Sequence, residues 1–271
     1  MSEDMLHLPR EIVDSIIDLL HDDRKALKGC SLISTPWVPR TRKHLFNEVK
    51  FDSPSRLSAW KETFPDSAKS PAHHARSLIV RGAGVATAKD GEKGGWIRSF
   101  TGVVRFDVST ESDSREPESN FLAPFHSFTP VLRSLRVSPS PVPLSKVFAF
   151  ICSFPSLEDL HIVDEESYHG SGDGDDDAAD FQPATSPAFT GTLVLFDSLS
   201  NAIRHRLLTL PGGLHFQKIS WSAYYPETDL QPDLVMAFVK RCSNTLECID
   251  IDIWLPGKSH PFAPSHDWFS I

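Results

Sequence analysis

Several groups of residues have the types that metal or catalytic chemistry needs, and each lacks a part of its pattern. Asp173, Asp175 and Asp177 alternate like the first three oxygen ligands of a calcium loop. Such a loop needs glycine at its sixth position for the sharp turn and a bidentate acid at its twelfth, and those places hold Ala178 and Ala184. Cys242, Cys248, His260 and His266 follow the two-Cys, two-His order of a structural zinc site, but both short gaps are five residues, at or beyond the usual limits. Gly82-x-Gly84 follows an apolar run, yet Thr87 stands where a dinucleotide loop has its third glycine. The sequence has no G-x-x-x-x-G-K phosphate loop and no G-x-S-x-G elbow, and His73-His74 has no second metal-binding partner at helical spacing. The expectation is a non-catalytic protein with no metal and no cofactor. A hydrolase stays open only as a set of scattered Ser, His and Asp residues that a fold would have to bring together.

The elements that would position such residues belong to a chain of 271 residues, 40% hydrophobic, long enough for one or two domains with a real core. No unbroken apolar run exceeds the six residues of Val147 to Cys152, far short of the roughly 18 residues of a membrane helix. The first thirty residues carry Glu3, Asp4, Asp14, Asp18, Asp22 and Asp23 in place of a secretory signal. Four scattered cysteines fit reduced thiols, so a cytoplasmic or nuclear location is expected. The net charge of -9 comes almost wholly from eight acids between Asp164 and Asp180, without which the chain is near neutral. Neither a nucleic acid nor a membrane surface is expected as partner.

The first fifty residues read as three helices. With Ile12 set at zero and about 100° per residue, Val13, Ile16, Ile17, Leu19 and Leu20 fall near 100°, 40°, 140°, -20° and 80°. That arc of about 160° is wider than the stripe a surface helix buries against its own core, so part of it awaits a partner. A second helix starts after Asp22 or Asp23 and runs through Leu27, Cys30 and Leu32; a third follows Ser34 or Thr35, with Pro36 and Trp37 early. Between Arg24 and Lys50 seven basic residues face one acid, Glu48, which would suit an acidic partner as well as a plain solvated surface.

The order Leu8-Pro9-x-Glu11-Ile12, the Ile16/Leu19/Leu20 face, Leu27, Cys30, Leu32-Ile33-Ser34, Trp37 and Leu45-Phe46 resembles an F-box, particularly the F-box-like segment of fungal proteins, over residues 6–51. The resemblance implies a non-catalytic adaptor of an SCF-type cullin-RING ubiquitin ligase. Its Skp1-binding residues, carried over by position, would be Leu8, Pro9, Ile12, Ile16, Leu20, Leu27, Leu32 and Trp37, with some of the eight serving as internal core. A Skp1-like adaptor, and through it a cullin, would be the partners, with an unknown protein as substrate.

Residues 52–271 resemble degenerate leucine-rich repeats. The template L-x-x-L-x-L fits at Leu132, Leu157 and Leu246, and with weaker first positions at Ala75, Thr101, Thr190 and Phe216. The central anchors are then residues 78, 104, 135, 160, 193, 219 and 249. Helical connections are expected over 144–152, 198–208 and 233–242. The fold class is therefore α/β, a three-helix F-box followed by an irregular leucine-rich-repeat-like solenoid with a curved parallel sheet. An ordinary α/β domain with the same alternation remains the alternative. Cys242 would end a helix and Cys248 would lie on a strand facing away from its anchors, which accounts for both without zinc. The acidic stretch 164–187 reads as a disordered insertion, with further loops over 82–95 and 111–119.

Alternation along the strands points the residues between anchors to the concave surface, giving Arg105, Asp107, Arg136, Asp159, His161, Lys218, Asp250 and Asp252 as candidate substrate-binding residues. Their mixed charge suits a protein partner. The chain stops soon after the last repeat with no polar capping unit, which suggests truncation at the C-terminus. A non-ligase repeat scaffold is the alternative function.

Overall fold

The structure, a computed structural model, describes residues 9–82, 95–109, 122–138, 142–163, 187–196, 201–223 and 232–253. Three short helices open it. Pro9 stands immediately before α1 (Arg10–Leu19), where a missing N–H costs nothing because no intrahelical acceptor would be there for it. Asp23 caps α2 (Arg24–Ile33) by accepting from the Lys25 and Ala26 N–H groups at 3.0 and 2.9 Å. The expected third helix is a 3₁₀ turn, Thr35–Trp37, that runs into α3 (Val38–Leu45). Val13, Ile17, Leu27 and Leu45 form a small core of their own, with Leu20, Trp37 and Phe46 packed against it.

Eight strands follow among the described residues: β1 (Glu48–Phe51), β2 (Ser77–Arg81), β3 (Arg105–Ser109), β4 (Ser134–Val137), β5 (Asp159–Ile162), β6 (Thr192–Phe196), β7 (Lys218–Ala223) and β8 (Cys248–Ile253). They form one open, wholly parallel sheet in which each strand pairs with the next in the chain. The register aligns Val49, Leu78, Phe106, Leu135, Leu160, Leu193, Ile219 and Ile249 in one row, and Phe51, Val80, Val108, Val137, Ile162, Leu195, Trp221 and Ile251 in another. From β1 to β7 both rows are buried; on the edge strand β8, Ile249 and Ile251 are 42% and 41% exposed.

Two expectations need correction. The sheet begins at β1, inside the segment read as helical, because Phe46-x-x-Val49-x-Phe51 is itself a copy of the repeat with an aromatic first position. In β3 the anchors are Phe106 and Val108 rather than Val104 and Phe106, so this copy reads Val103-x-x-Phe106-x-Val108. The physical reason lies in the backbone. The carbonyl just before each strand commonly accepts two successive N–H groups from the entry to the next strand, and Val104 occupies that place. Asn47 O accepts from Arg76 and Ser77, Arg76 O from Val104 and Arg105, Val104 O from Arg133 and Ser134, and Arg133 O from Glu158 and Asp159. The same pairing joins Gly191 O to Gln217 and Lys218, and Gln217 O to Glu247 and Cys248, all at 2.7–3.2 Å. The shift of two residues preserves strand parity, so Arg105 and Asp107 still face away from the core.

Helices link several strands. The expected connections appear as α5 (Leu144–Cys152), α6 (Asn201–Leu208) and α7 (Pro232–Arg241), and α4 (Pro54–Thr63) lies between β1 and β2. Two other crossovers use 3₁₀ turns, Gly95–Ser99 and Ala123–Phe128. The core is rich in aromatics: Phe106 meets Phe125 and Phe128 with centroids 4.7 and 5.2 Å apart, and buried Arg204 lies 5.4 Å from the centroid of the Trp221 ring. The expected acidic insertion and the expected loop over 82–95 lie outside the described residues except at their margins, and the loop over 111–119, Leu8, Thr87, His260 and His266 lie wholly outside them.

Candidate partner-docking surfaces

The wide apolar arc of α1 divides into two halves. Val13 and Ile17, near 100° and 140°, are buried, and half-buried Leu20 at 80° packs against the same core. Ile12, Ile16 and Leu19, between -20° and 40°, are 49%, 40% and 83% exposed. At the end of α2, Leu32 and Ile33 are 87% and 67% exposed. Of the expected adaptor-binding residues, Pro9, Ile12, Ile16 and Leu32 are thus at the surface. Leu20 and Trp37 are half-buried against the small core, and Leu27 is fully buried inside it. Leu27 therefore supports the face from behind and has no surface of its own to offer. Leu8 lies outside the described residues. Leu19 and Ile33 were not among the expected site residues, although the helical angle of Leu19, next to Ile12, already placed it on the same face.

A polar clasp holds the α1 face in place. The Asp18 carboxylate on α1 accepts from the Arg40 guanidinium through both oxygens, at 2.6 Å to Nε, and lies 2.7 Å from His44 Nε2, both partners on α3. These hydrogen bonds, Arg40 first, hold the Asp18 carboxyl well below the usual carboxylate range and raise the Arg40 guanidinium.

The second surface is the sheet face turned away from the core. Its middle row runs Lys50, Ile79, Asp107, Arg136, His161, Val194, Ser220 and Asp250 across eight adjacent strands. Three expected residues, Asp107, Arg136 and His161, are direct neighbours in it, with Asp107 Oδ2 3.9 Å from Arg136 Nε. Asp107 is only 6% exposed. Burial pushes the His161 imidazole down to about 4; Asp159 opposes that shift and Arg136 adds to it. Lys218 and Asp250 pair at 3.6 Å near the other end, Arg105 and Asp252 are exposed, and Asp159 is engaged with backbone. The structure therefore brings together a central trio and a distant pair, not one compact cluster. Lys50, Ile79, Val194 and Ser220 share the row and were missed by the sequence reading, Lys50 because its strand was read as helix.

A Ser–His contact occurs among the described residues. His126 Nδ1 lies 3.0 Å from Ser153 Oγ, but that hydroxyl donates its only proton to Phe150 O at 2.7 Å, so no base-activated nucleophile is set up. Burial lowers the His126 imidazole, pushes the Cys152 thiol up to about 11 and raises Cys242. All four cysteines are free, with Cys242 buried and Cys248 exposed on β8. Among the described residues no group of three or more His, Cys, Asp or Glu is placed to hold a metal ion, and no helix is long and apolar enough to cross a membrane. Comparison with known proteins finds no family model that matches this chain and no matching curated relative.

Proposed function

We propose that this chain is the substrate-receptor subunit of an SCF-type cullin-RING ubiquitin ligase, non-catalytic itself, working in the cytoplasm or nucleus. In this reading the helices form an F-box-like unit that binds a Skp1-like adaptor. The parallel sheet is an irregular leucine-rich-repeat-like solenoid whose outward face takes a protein substrate.

The observation that carries the reading is the divided apolar arc of α1. A helix that buries Val13 and Ile17 while exposing Ile12, Ile16 and Leu19 has more apolar surface than its own small core can use. Burying one such Leu or Ile against a partner is worth roughly 1.5–3 kcal/mol by area, from which ordering and association costs are subtracted. Pro9, Leu32 and Ile33 extend the same chemistry, and the Asp18–Arg40 clasp fixes α1 on α3. The order of Leu8-Pro9, apolar helix, Ser34 and Trp37 is the independent sequence support.

Co-expression of the chain with a fungal Skp1 and a cullin, followed by affinity purification, tests the proposal. Recovery of all three proteins by the wild type and of neither partner by a folded Ile12→Asp variant is the expected result. Failure of the folded wild type to retain Skp1 would leave a non-ligase repeat scaffold.

A further inference from the structure

A cleft of about 510 Å³ lies where the helical unit meets the first strand, lined by α2, the end of α3, β1 and α4. Its volume is within the roughly 300–1,000 Å³ of ordinary ligand sites, which favour such junctions. Half-buried Phe46, Trp60 and Phe64 contribute an aromatic wall: Trp60 lies 4.8 Å from Phe64 and 5.8 Å from Phe46 between ring centroids, and Phe46 meets Phe64 edge-on at 6.0 Å. Arg24, Lys50 and Arg56 line the same cleft with one acid, Glu48, and Asp52 beside Lys50 and Arg56, which leaves a surplus of one positive charge.

The cations are held in place without being used up. Arg24 Nη2 donates to Leu45 O at 3.2 Å, and Arg56 Nε lies 2.9 Å from Asp52 Oδ1, which leaves further N–H groups on each guanidinium. Lys50 Nζ sits 3.7 Å from the other oxygen of Asp52. Arg24 and Arg56 are exposed, while the rings behind them are half-buried. Such a lining suits a ligand that is apolar at its tip and anionic around it.

We infer that this cleft binds an extended acidic peptide segment through one aromatic or large aliphatic side chain, which seats against Phe46, Trp60 and Phe64 while neighbouring carboxylates meet Arg24, Lys50 and Arg56. The excess of basic residues between Arg24 and Lys50 draws such a segment in, and the aromatic wall selects the anchor. No α1 residue lines the cleft, so the site shares no side chain with the exposed α1 face.

A fluorescein-labelled peptide of sequence Glu-Asp-Glu-Phe-Leu-Glu, titrated with the full chain and read by anisotropy at low salt, tests this. Saturable binding is expected, weakening tenfold or more in an Arg24→Glu/Arg56→Glu variant and in a Phe64→Ser variant whose melting curves stay cooperative. The same peptide with Ser in place of Phe and Leu should bind at least tenfold more weakly. No binding by the wild type, equal binding by the charge-reversed variant, or equal binding of the Ser-containing peptide would each overturn the inference. Retention of Skp1 by the same variants would separate a failure here from a failure of the adaptor reading.

Discussion

Asp159 of β5 and Gly191 at the entry to β6 fix one another's identities. At this step of the sheet the Glu158 carbonyl accepts from Gly191 N–H at 3.0 Å, and the next donor, Thr192 N–H, goes to Asp159 Oδ1 at 2.7 Å. A Cβ at residue 191 would collide with that carboxylate oxygen and lie 3.2 Å from the Glu158 carbonyl carbon. Asp159 therefore does the work that a backbone carbonyl does at other strand entries, and glycine is what lets it approach.

Gly191→Ala is expected to destabilise the chain by about 1–3 kcal/mol through overpacking. Asp159→Ala, which leaves the Thr192 N–H without its acceptor, should cost about 1–2 kcal/mol. The pair should cost less than the sum, because removing the carboxylate relieves the clash. Urea unfolding of the four proteins in this cycle reads the coupling; strict additivity would contradict the contact.

The strand register makes a second prediction. Phe106 is buried between Phe125 and Phe128, so Phe106→Ala should cost about 3–5 kcal/mol, whereas Val104→Ala, at a half-buried entry position, should cost less than about 1.5 kcal/mol. Similar losses for both variants, measured by denaturant midpoint, would favour the register expected from sequence.

That comparison also shows how much the sequence discloses. Strand parity, all three helical connections and every expected copy but that at Thr101 are legible because a two-residue period and apolar anchors leave a direct trace. β1 was hidden because its copy opens with Phe46 at the end of a helix, and β3 because Thr101 and Val103 compete for one template position. The divided face of α1 was readable as an excess of apolar width, but which half was buried depended on Leu27 and Leu45, residues from other helices. The Asp18 clasp and the Asp159 bond to Thr192 left no sequence signal at all, since each joins residues more than twenty positions apart.

His161 gives a pH prediction. Its folded value of about 4 lies below the unfolded value near 6.5, so the unfolded chain binds more protons between them. The resulting stability is present in full above about pH 6.5 and is lost as pH falls towards 4. Imidazole resonances of His161 should stay in the neutral position at pH 5.5, and His161→Gln should flatten the fall in stability over that window. Titration of the ring near 6.5 would contradict its burial.

Asp18 titrates with the opposite partner logic. Its folded value is depressed, so its contribution is present in full above the unfolded carboxylate value of about 3.9 and is lost progressively as pH falls from there through the folded one. The group is partly exposed, so salt and solvent limit the effect to about 1 kcal/mol or less. Wild type should exceed Asp18→Asn in urea midpoint at pH 7, with the difference narrowing only in strong acid; a difference unchanged down to pH 2 would show that the charge is not what holds α1 to α3.

Calorimetric titration of purified Skp1 into the wild-type chain and into a Leu19→Asp/Leu32→Asp variant tests the central claim most directly. Both residues are exposed and contribute little to the fold, so the variant should keep its melting temperature. The account predicts tight one-to-one binding by the wild type and a loss of a hundredfold or more in the variant. Absence of binding by the folded wild type, or equal binding by both, would contradict it.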